Sequence, residues 1–186
     1  MAGVTALQAL RAAGAVEPGQ RVLVNGAAGG VGTFLVQLAK DRAAEVTAVC
    51  RQEHRDLIAG LGADRVVDYQ REDFTSLGPI FDIVFDVAAS RPQRHLSRLL
   101  DRRGRCVVVG FSSLRRLAGV ALSRRARLLT ADNTDPADLA VLGRLVDSGR
   151  ITPVVERVYP IAEVAQAFEH LESGRPGGNI VVEVDF

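Results

Sequence analysis

The sequence predicts an α/β protein built on a doubly wound parallel sheet, and two observations carry that prediction. Continuously apolar, β-branched runs alternate along the chain with segments of helical period, and strands of that kind are the ones covered on both faces. In addition, Arg21-Val22-Leu23-Val24-Asn25 runs into Gly26-Ala27-Ala28-Gly29-Gly30-Val31-Gly32, after which Val31, Leu35, Leu38 and Ala39 recur at spacings of three and four. That is strand, tight turn, helix, and the right-handed crossover rule then favours a doubly wound arrangement.

The elements follow in order. Residues 3–14 read as a helix closed at Gly14, and Val16 to Gln20, with Pro18-Gly19, as a turn. A strand over 21–25 and a helix over 30–42 come next, then a strand over 45–50, a helix over 53–60 and a strand over 65–68. The β-branched and aromatic run 81–87 is a fourth strand, followed by a helix over 91–102 and a fifth strand over 106–109 closed by Gly110. Beyond it the pattern loosens into a helix around 115–126 and a strand over 127–131. Asp135-Pro136 opens a helix over 136–148, with Asp135 as N-cap and Gly149 past its end. A strand over 154–158, a helix over 161–173 and a strand over 180–184 complete the chain. The expected organisation is a dinucleotide-binding unit over 1–150 and a C-terminal tail over 151–186.

Composition limits the function classes. At 186 residues, 47% hydrophobic and 24% charged, the chain fits one ordinary globular domain. A net charge of +1 gives no bulk steering toward nucleic acid or membrane. Cys50 and Cys106 lie in apolar runs, which reads as two buried reduced thiols rather than a disulfide framework. No stretch approaches the ~20 apolar residues of a membrane helix, and no basic region with an apolar core marks a signal peptide. The expectation is a cytoplasmic protein with neither nucleic acid nor membrane as partner.

The glycine turn carries the chemistry. It reads Ala27-x-Gly29-x-x-Gly32, a G-x-G-x-x-G fingerprint with alanine first, which makes Ala27, Gly29, Gly30, Val31 and Gly32 candidate dinucleotide-binding residues. Glycine lets the backbone come close to a pyrophosphate, and the helix that follows points free N–H groups and its positive dipole end at that anion. A glycine turn that serves only to pack helix on strand is the competing reading. At the end of the second strand, an acid that accepts from the ribose 2′-hydroxyl would mark NADH. Here that position is Cys50, followed by Arg51, with Arg55 one turn on. A guanidinium fork suits a 2′-phosphate, so the expected cofactor is NADPH. Against it, Glu53 and Asp56 dilute the local field and leave room for Arg51 and Arg55 as mere solvated charges.

Other chemistry is sparse. Two distant cysteines and His54, His95 and His170 give no zinc-ligand spacing, and each histidine reads as a surface residue. Ser97, Ser112 and Ser113 have no partnered base. Asp82 and Asp86 share one strand face, and Asp86 reads as a hydrogen-bonding group at a strand end. Between Arg91 and Arg127 stand eleven arginines and one acid, Asp101; Arg91, Arg94, Arg98 and Arg102 would stripe one helix face as a solvated surface, with a polyanion-binding patch as the alternative.

On these residues the chain resembles the medium-chain dehydrogenase/reductase superfamily, in its zinc-independent quinone oxidoreductase branch. The resemblance rests on Ala2-Gly3-Val4-Thr5-Ala6, on Asn25 to Gly32 with Gln37-Leu38-Ala39-Lys40, on Leu61 to Tyr69, on Phe81 to Asp86, on Gly104 to Gly110, and on Gly149 to Pro153 with Gly177 to Val182. It implies Thr5 near the nicotinamide, Tyr69 near the adenosine phosphate, and Gly110, Phe111 and Ser112 lining the nicotinamide through backbone groups. Gly110 also ends a parallel strand, where ligands bind in such sheets. It implies hydride transfer from NADPH to a quinone or enone, a homodimer, and an N-terminal GroES-like catalytic domain that this chain lacks. Asn179 stands where the family pattern has lysine. The strands 154–158 and 180–184 would be left without their usual partners. An enoyl reductase piece of a polyketide or fatty-acid assembly line and a non-catalytic nucleotide-sensing module are the alternatives.

Overall fold

A computed structural model describes residues 1–78, 80–109, 119–129, 135–174 and 176–184. The first six strands are β1 (Arg21–Asn25), β2 (Glu45–Cys50), β3 (Arg65–Asp68), β4 (Phe81–Asp86), β5 (Leu100–Val108) and β6 (Ala126–Leu128). They form one parallel sheet in the order β3-β2-β1-β4-β5-β6. The progression reverses between β1 and β4, which sets the switch point where doubly wound sheets bind ligands.

Alternation along each strand builds two cores. Val22, Val24, Val46, Ala48, Ile83 and Phe85 face one way. They meet α1 (Ala2–Ala12) and α2 (Gly30–Asp41), with Leu142 from α5 (Pro136–Asp147) in the same cluster. Leu23, Val49, Val67 and Val84 face the other way, with Phe74 and with Leu96 and Leu99 of α4 (Gln93–Leu99). A fully buried aliphatic side chain stabilises by about 1.5–3 kcal/mol over an exposed one, and both faces are covered, so the strands read as unbroken apolar runs. Helix α1 lies close on its neighbours, since a Cβ added at Gly3 would stand 3.2 Å from Leu142 and 3.3 Å from Phe34. Buried Asp138 of α5 fastens it, accepting from Gln8 Nε2 at 2.8 Å and pairing with Arg11.

Two expectations change. The helix expected over 91–102 covers only Gln93–Leu99, because β5 already starts at Leu100. Leu100 pairs with Phe81 and Arg105 with Ile83, and the register shift between them takes up the extra residues. The arginine stripe is therefore broken: Arg91 precedes the helix and Arg102 lies in the strand. The two strands of the tail, β7 (Val155–Pro160) and β8 (Asn179–Glu183), pair in parallel with each other around α6 (Val164–Glu172), and a short helix α3 (Arg55–Gly60) lies between β2 and β3. Gly110, Phe111 and Ser112 lie outside the described residues. Among the described residues no helix is long and apolar enough to cross a membrane.

Candidate functional site

At the switch point the carboxyl ends of the strands open into a cavity of about 560 Å³, with the glycine turn as one wall. Gly26 takes φ +88°, a conformation glycine adopts without cost, and a Cβ there would stand 2.8 Å from Ala88 N. The amides of Gly26 and Ala27 both donate to Val49 O, at 3.1 and 3.0 Å, fixing the turn to the end of β2. The glycine that the turn requires is thus Gly26, one position ahead of Ala27. The Asn25-Gly26 pair, a turn signal at the strand end, was the cue.

The other glycines divide the work. A Cβ on Gly32 would stand 2.7 Å from Ala27 Cα and closer still to Gly26 O, so here helix and turn touch backbone to backbone. Gly29, the N-cap of α2, has φ −73° and ψ 169°, open to any residue. A Cβ on it would meet only Gly26 O, at an ordinary 3.7 Å. Nothing in the protein itself demands glycine at 29, and Gly29 lines the cavity. The cap supplies no side-chain acceptor, and the first turn of α2 holds no acid. The leading N–H groups of a helix have no intrahelical partner, so this end presents Gly30, Val31 and Gly32 as donors with the positive end of the dipole.

Asp86 organises the switch point from below. Its buried Oδ1 accepts from Asn25 Nδ2 at 2.7 Å and from Ala89 N at 3.1 Å, and Asn25 Nδ2 also reaches Ser90 Oγ at 3.2 Å. It is the strand-end hydrogen-bonding group that its position implied.

At the far end of the cavity, β2 delivers Cys50 and Arg51. Cys50 is buried, and burial, reinforced by Asp68 and opposed by Arg55, pushes its thiol up to about 11. Asp68, paired with Cys50 in register, does not line the cavity; its Oδ1 accepts from Gln70 N at 3.0 Å and its Oδ2 stands 3.6 Å from Arg71 Nε. Arg51 Nε donates to the Tyr69 hydroxyl at 2.8 Å, and its guanidinium stands 3.7 Å from Glu53. A guanidinium stays charged in proteins, so the cation is permanent, and the Tyr69 hydrogen bond raises Arg51 further above its usual value.

The structure brings Gly29, Gly30, Cys50, Arg51 and Tyr69 to one cavity. Ala27, in the turn, and Val31 and Gly32, in the first turn of α2, are not among its lining residues. Thr5 and Arg55 do not line it: Thr5 donates to Met1 O at 3.3 Å inside the first turn of α1, and Arg55 is exposed at the start of α3. His54, expected on the surface, is a wall residue instead, packed so that a Cβ on Gly177 would stand 2.6 Å from its Nδ1. His170 is likewise engaged, 2.9 Å from the Tyr159 hydroxyl. Arg91 lines the cavity beside Asp73 at 3.7 Å, its guanidinium 5.8 Å above the Phe74 ring.

The tail closes the remaining side. Gly178 forms a parallel bridge with Gly29, and a Cβ on Gly30 would stand 2.5 Å from Asn179 Oδ1. Leu171, Gly174, Pro176 and Gly178 all face the cavity. Buried Gln37 anchors this segment, donating to Thr152 O at 2.9 Å and accepting from Thr152 N at 2.7 Å, and Arg150 grips Asp41 with two bonds of 2.6 and 2.7 Å. Among the described residues no group of three or more His, Cys, Asp or Glu is placed to hold a metal ion.

Comparison with known proteins accords with this geometry. Residues 61–182 match a family model described as zinc-binding dehydrogenase. The mouse (Mus musculus) NAD(P)H oxidoreductase RTN4IP1, mitochondrial, is 35% identical over an alignment covering 89% of this chain and 48% of that protein. The tomato (Solanum lycopersicum) 2-methylene-furan-3-one reductase is 34% identical, covering 96% and 44% respectively. The quinone oxidoreductase of Coxiella burnetii superposes with a TM-score of 0.90 at 29% identity, over all of this chain and 59% of the other. The chain thus spans about half the length of the curated relatives it matches. The six-stranded parallel sheet, the glycine turn at its switch point and these matches together make the chain a member of the medium-chain dehydrogenase/reductase family, the zinc-binding dehydrogenases in the broad sense, and an oxidoreductase fold with quinone and enone reductases among its relatives.

Proposed function

We propose that this chain is the NADPH-binding part of a zinc-independent oxidoreductase that reduces a quinone or an electron-poor alkene. The observation that carries the reading is the cavity itself: a glycine at 29 that only a ligand would require, an uncapped helix end, and a permanent cation at Arg51 where an acid would mark NADH. In this reading residues 1–150 hold the dinucleotide and the tail over 151–186 adds the wall from Leu171 to Gly178. The N–H groups of Gly30 and Val31 hold the pyrophosphate, the Arg51 fork meets the 2′-phosphate with Tyr69 steering it, and Asp86 with Asn25 keeps the turn in place. NADPH, when bound, supplies the hydride. Relatives that act on enones and quinones support the substrate class. The mouse relative, an NAD(P)H oxidoreductase, leaves the choice between NADH and NADPH open.

The test is calorimetric titration with both nucleotides. NADPH binds more tightly than NADH, and Arg51→Ala abolishes the difference, since a charge-assisted contact is worth about ten- to a hundredfold in affinity. Equal affinities in the parent chain, or an Arg51→Ala variant that keeps the preference, overturn the assignment. A homodimer is part of the same proposal, supported by β6, whose outer edge has no partner strand among the described residues and is a template for pairing. Light scattering that returns a monomer at every concentration refutes it.

A further inference from the structure

A second concavity lies at the opposite end of the sheet from the dinucleotide cavity. Arg102, Arg103 and Arg105 stand early in β5, and Arg124, Arg125 and Arg127 stand just before and within β6, so all six gather at the amino ends of these parallel strands. With Gly104 they line a pocket of about 200 Å³ that contains no carboxylate. Among the described residues none of the six has an acidic partner within ion-pair distance, whereas Arg11, Arg21, Arg51, Arg65, Arg91 and Arg150 elsewhere all do. Asp101, the nearest acid in sequence, accepts from Arg103 N at 2.8 Å and faces Arg21 at 3.9 Å.

Two of the six are held in place. Arg125 Nε donates to Gly104 O at 3.1 Å, and Arg105 Nη2 donates to Ala15 O at 3.3 Å. Arg125 Nη2 is buried and, among the described residues, is a side-chain nitrogen with no hydrogen-bond partner. A buried donor on a charged group is costly to leave unpaired. Six cations in one concavity repel one another unless an anion sits among them. A pocket of this size is below the roughly 300–1,000 Å³ of sites that enclose a whole small molecule, and guanidinium forks match phosphate oxygens in pairs.

We propose that this arginine pocket binds a compact oligophosphate, pyrophosphate or the phosphate end of a nucleoside polyphosphate, at a site separate from the dinucleotide cavity. Arg125 is its inner donor, and Arg103 and Arg124 close over the anion from the solvent side.

The experiment is calorimetric titration of the full chain with inorganic pyrophosphate at about 0.15 M salt, with the dinucleotide turn blocked by Gly29→Val. The expected result is one-to-one binding that weakens by about tenfold or more in Arg125→Gln and again in Arg103→Gln, a surface substitution that leaves the fold alone. A parallel titration with ATP separates free from nucleotide-borne phosphate, and binding of either anion with these sensitivities supports the site. Absence of binding by both, or binding indifferent to both substitutions, overturns the proposal. Capture of an oligonucleotide without binding of pyrophosphate also overturns it, in favour of a nucleic-acid face with a steep salt dependence.

Discussion

Gly29 and Gly32 are both fingerprint glycines, yet their substitution has opposite consequences. At Gly29 the backbone is extended and an added Cβ meets one atom at 3.7 Å. Gly29→Val gives up the modest preference of a helix N-cap for glycine over valine, a fraction of a kcal/mol to about 1 kcal/mol. The stiffer unfolded chain returns about 0.4–1 kcal/mol. The two nearly cancel, so the melting temperature stays within about 2–4 °C of the parent. The branched side chain projects into the cavity, and dinucleotide affinity falls by at least about a hundredfold, or about 2.8 kcal/mol. At Gly32 an added Cβ presses on the backbone of Gly26 and Ala27. Gly32→Ala must push helix from turn, at about 1–3 kcal/mol or more, and the melting temperature drops by of the order of 5–10 °C. Circular dichroism melts and calorimetry on the two variants separate the effects. A folded Gly29→Val protein that still binds NADPH with parental affinity shows that the cavity is not the dinucleotide site. A Gly32→Ala protein of unchanged stability shows that the helix and turn do not meet as described.

Two further outcomes follow from buried or bonded titrating groups. Burial holds the Cys50 and Cys106 thiols up at about 11 and about 12, so at neutral pH neither reacts with a thiol reagent in the native protein and both react after unfolding; rapid native labelling of either contradicts their burial. Burial alone would raise Asp64, but the Lys40 ammonium at 2.8 Å and the Val46 N–H at 2.6 Å bring it below its usual value. A depressed carboxylate adds stability above the unfolded pKa of about 3.9, and that stability is lost as pH falls through the folded value. Asp64→Asn therefore destabilises the protein at neutral pH and flattens its loss of stability in acid; parallel acid-unfolding curves for both proteins would remove Asp64 from the account.

The sheet was legible because its strands obey one rule: buried on both faces, they are apolar at successive positions. β1, β2 and β3 start and end within one residue of their apolar runs. β5 was not legible at its start. Leu-Asp-Arg-Arg-Gly-Arg resembles the charged end of a helix, and it is strand only because Leu100 finds Phe81 and Gly104 lets β5 pass within reach of Phe81 O, where a Cβ would stand at 2.6 Å. That is information held by a distant segment. At the site, Gly29, Cys50 and Arg51 could be read because spacing from the strand ends places them. His54 could not, since its position depends on packing against Gly177, while Thr5, placed by resemblance, lies off the cavity and donates to Met1 O.

The bridge between Gly29 and Gly178 also bears on how the protein is made. The turn over 26–32 leaves the ribosome well before Gly177 to Asn179, and synthesis at about 5–20 residues per second leaves an interval in which the sheet assembles with its ligand side open. During that interval Gly30 has Ala2 beside it, and the arrival of Asn179 completes its cover. A nucleotide that contacts both the turn and the tail would act as a clasp on the last segment to dock. It would slow proteolytic clipping around 174–178 without changing the core, because a ligand stabilises whatever state completes its site. Under the proposed function, the stretch around Gly178 is then where nucleotide supply would show itself as resistance to clipping.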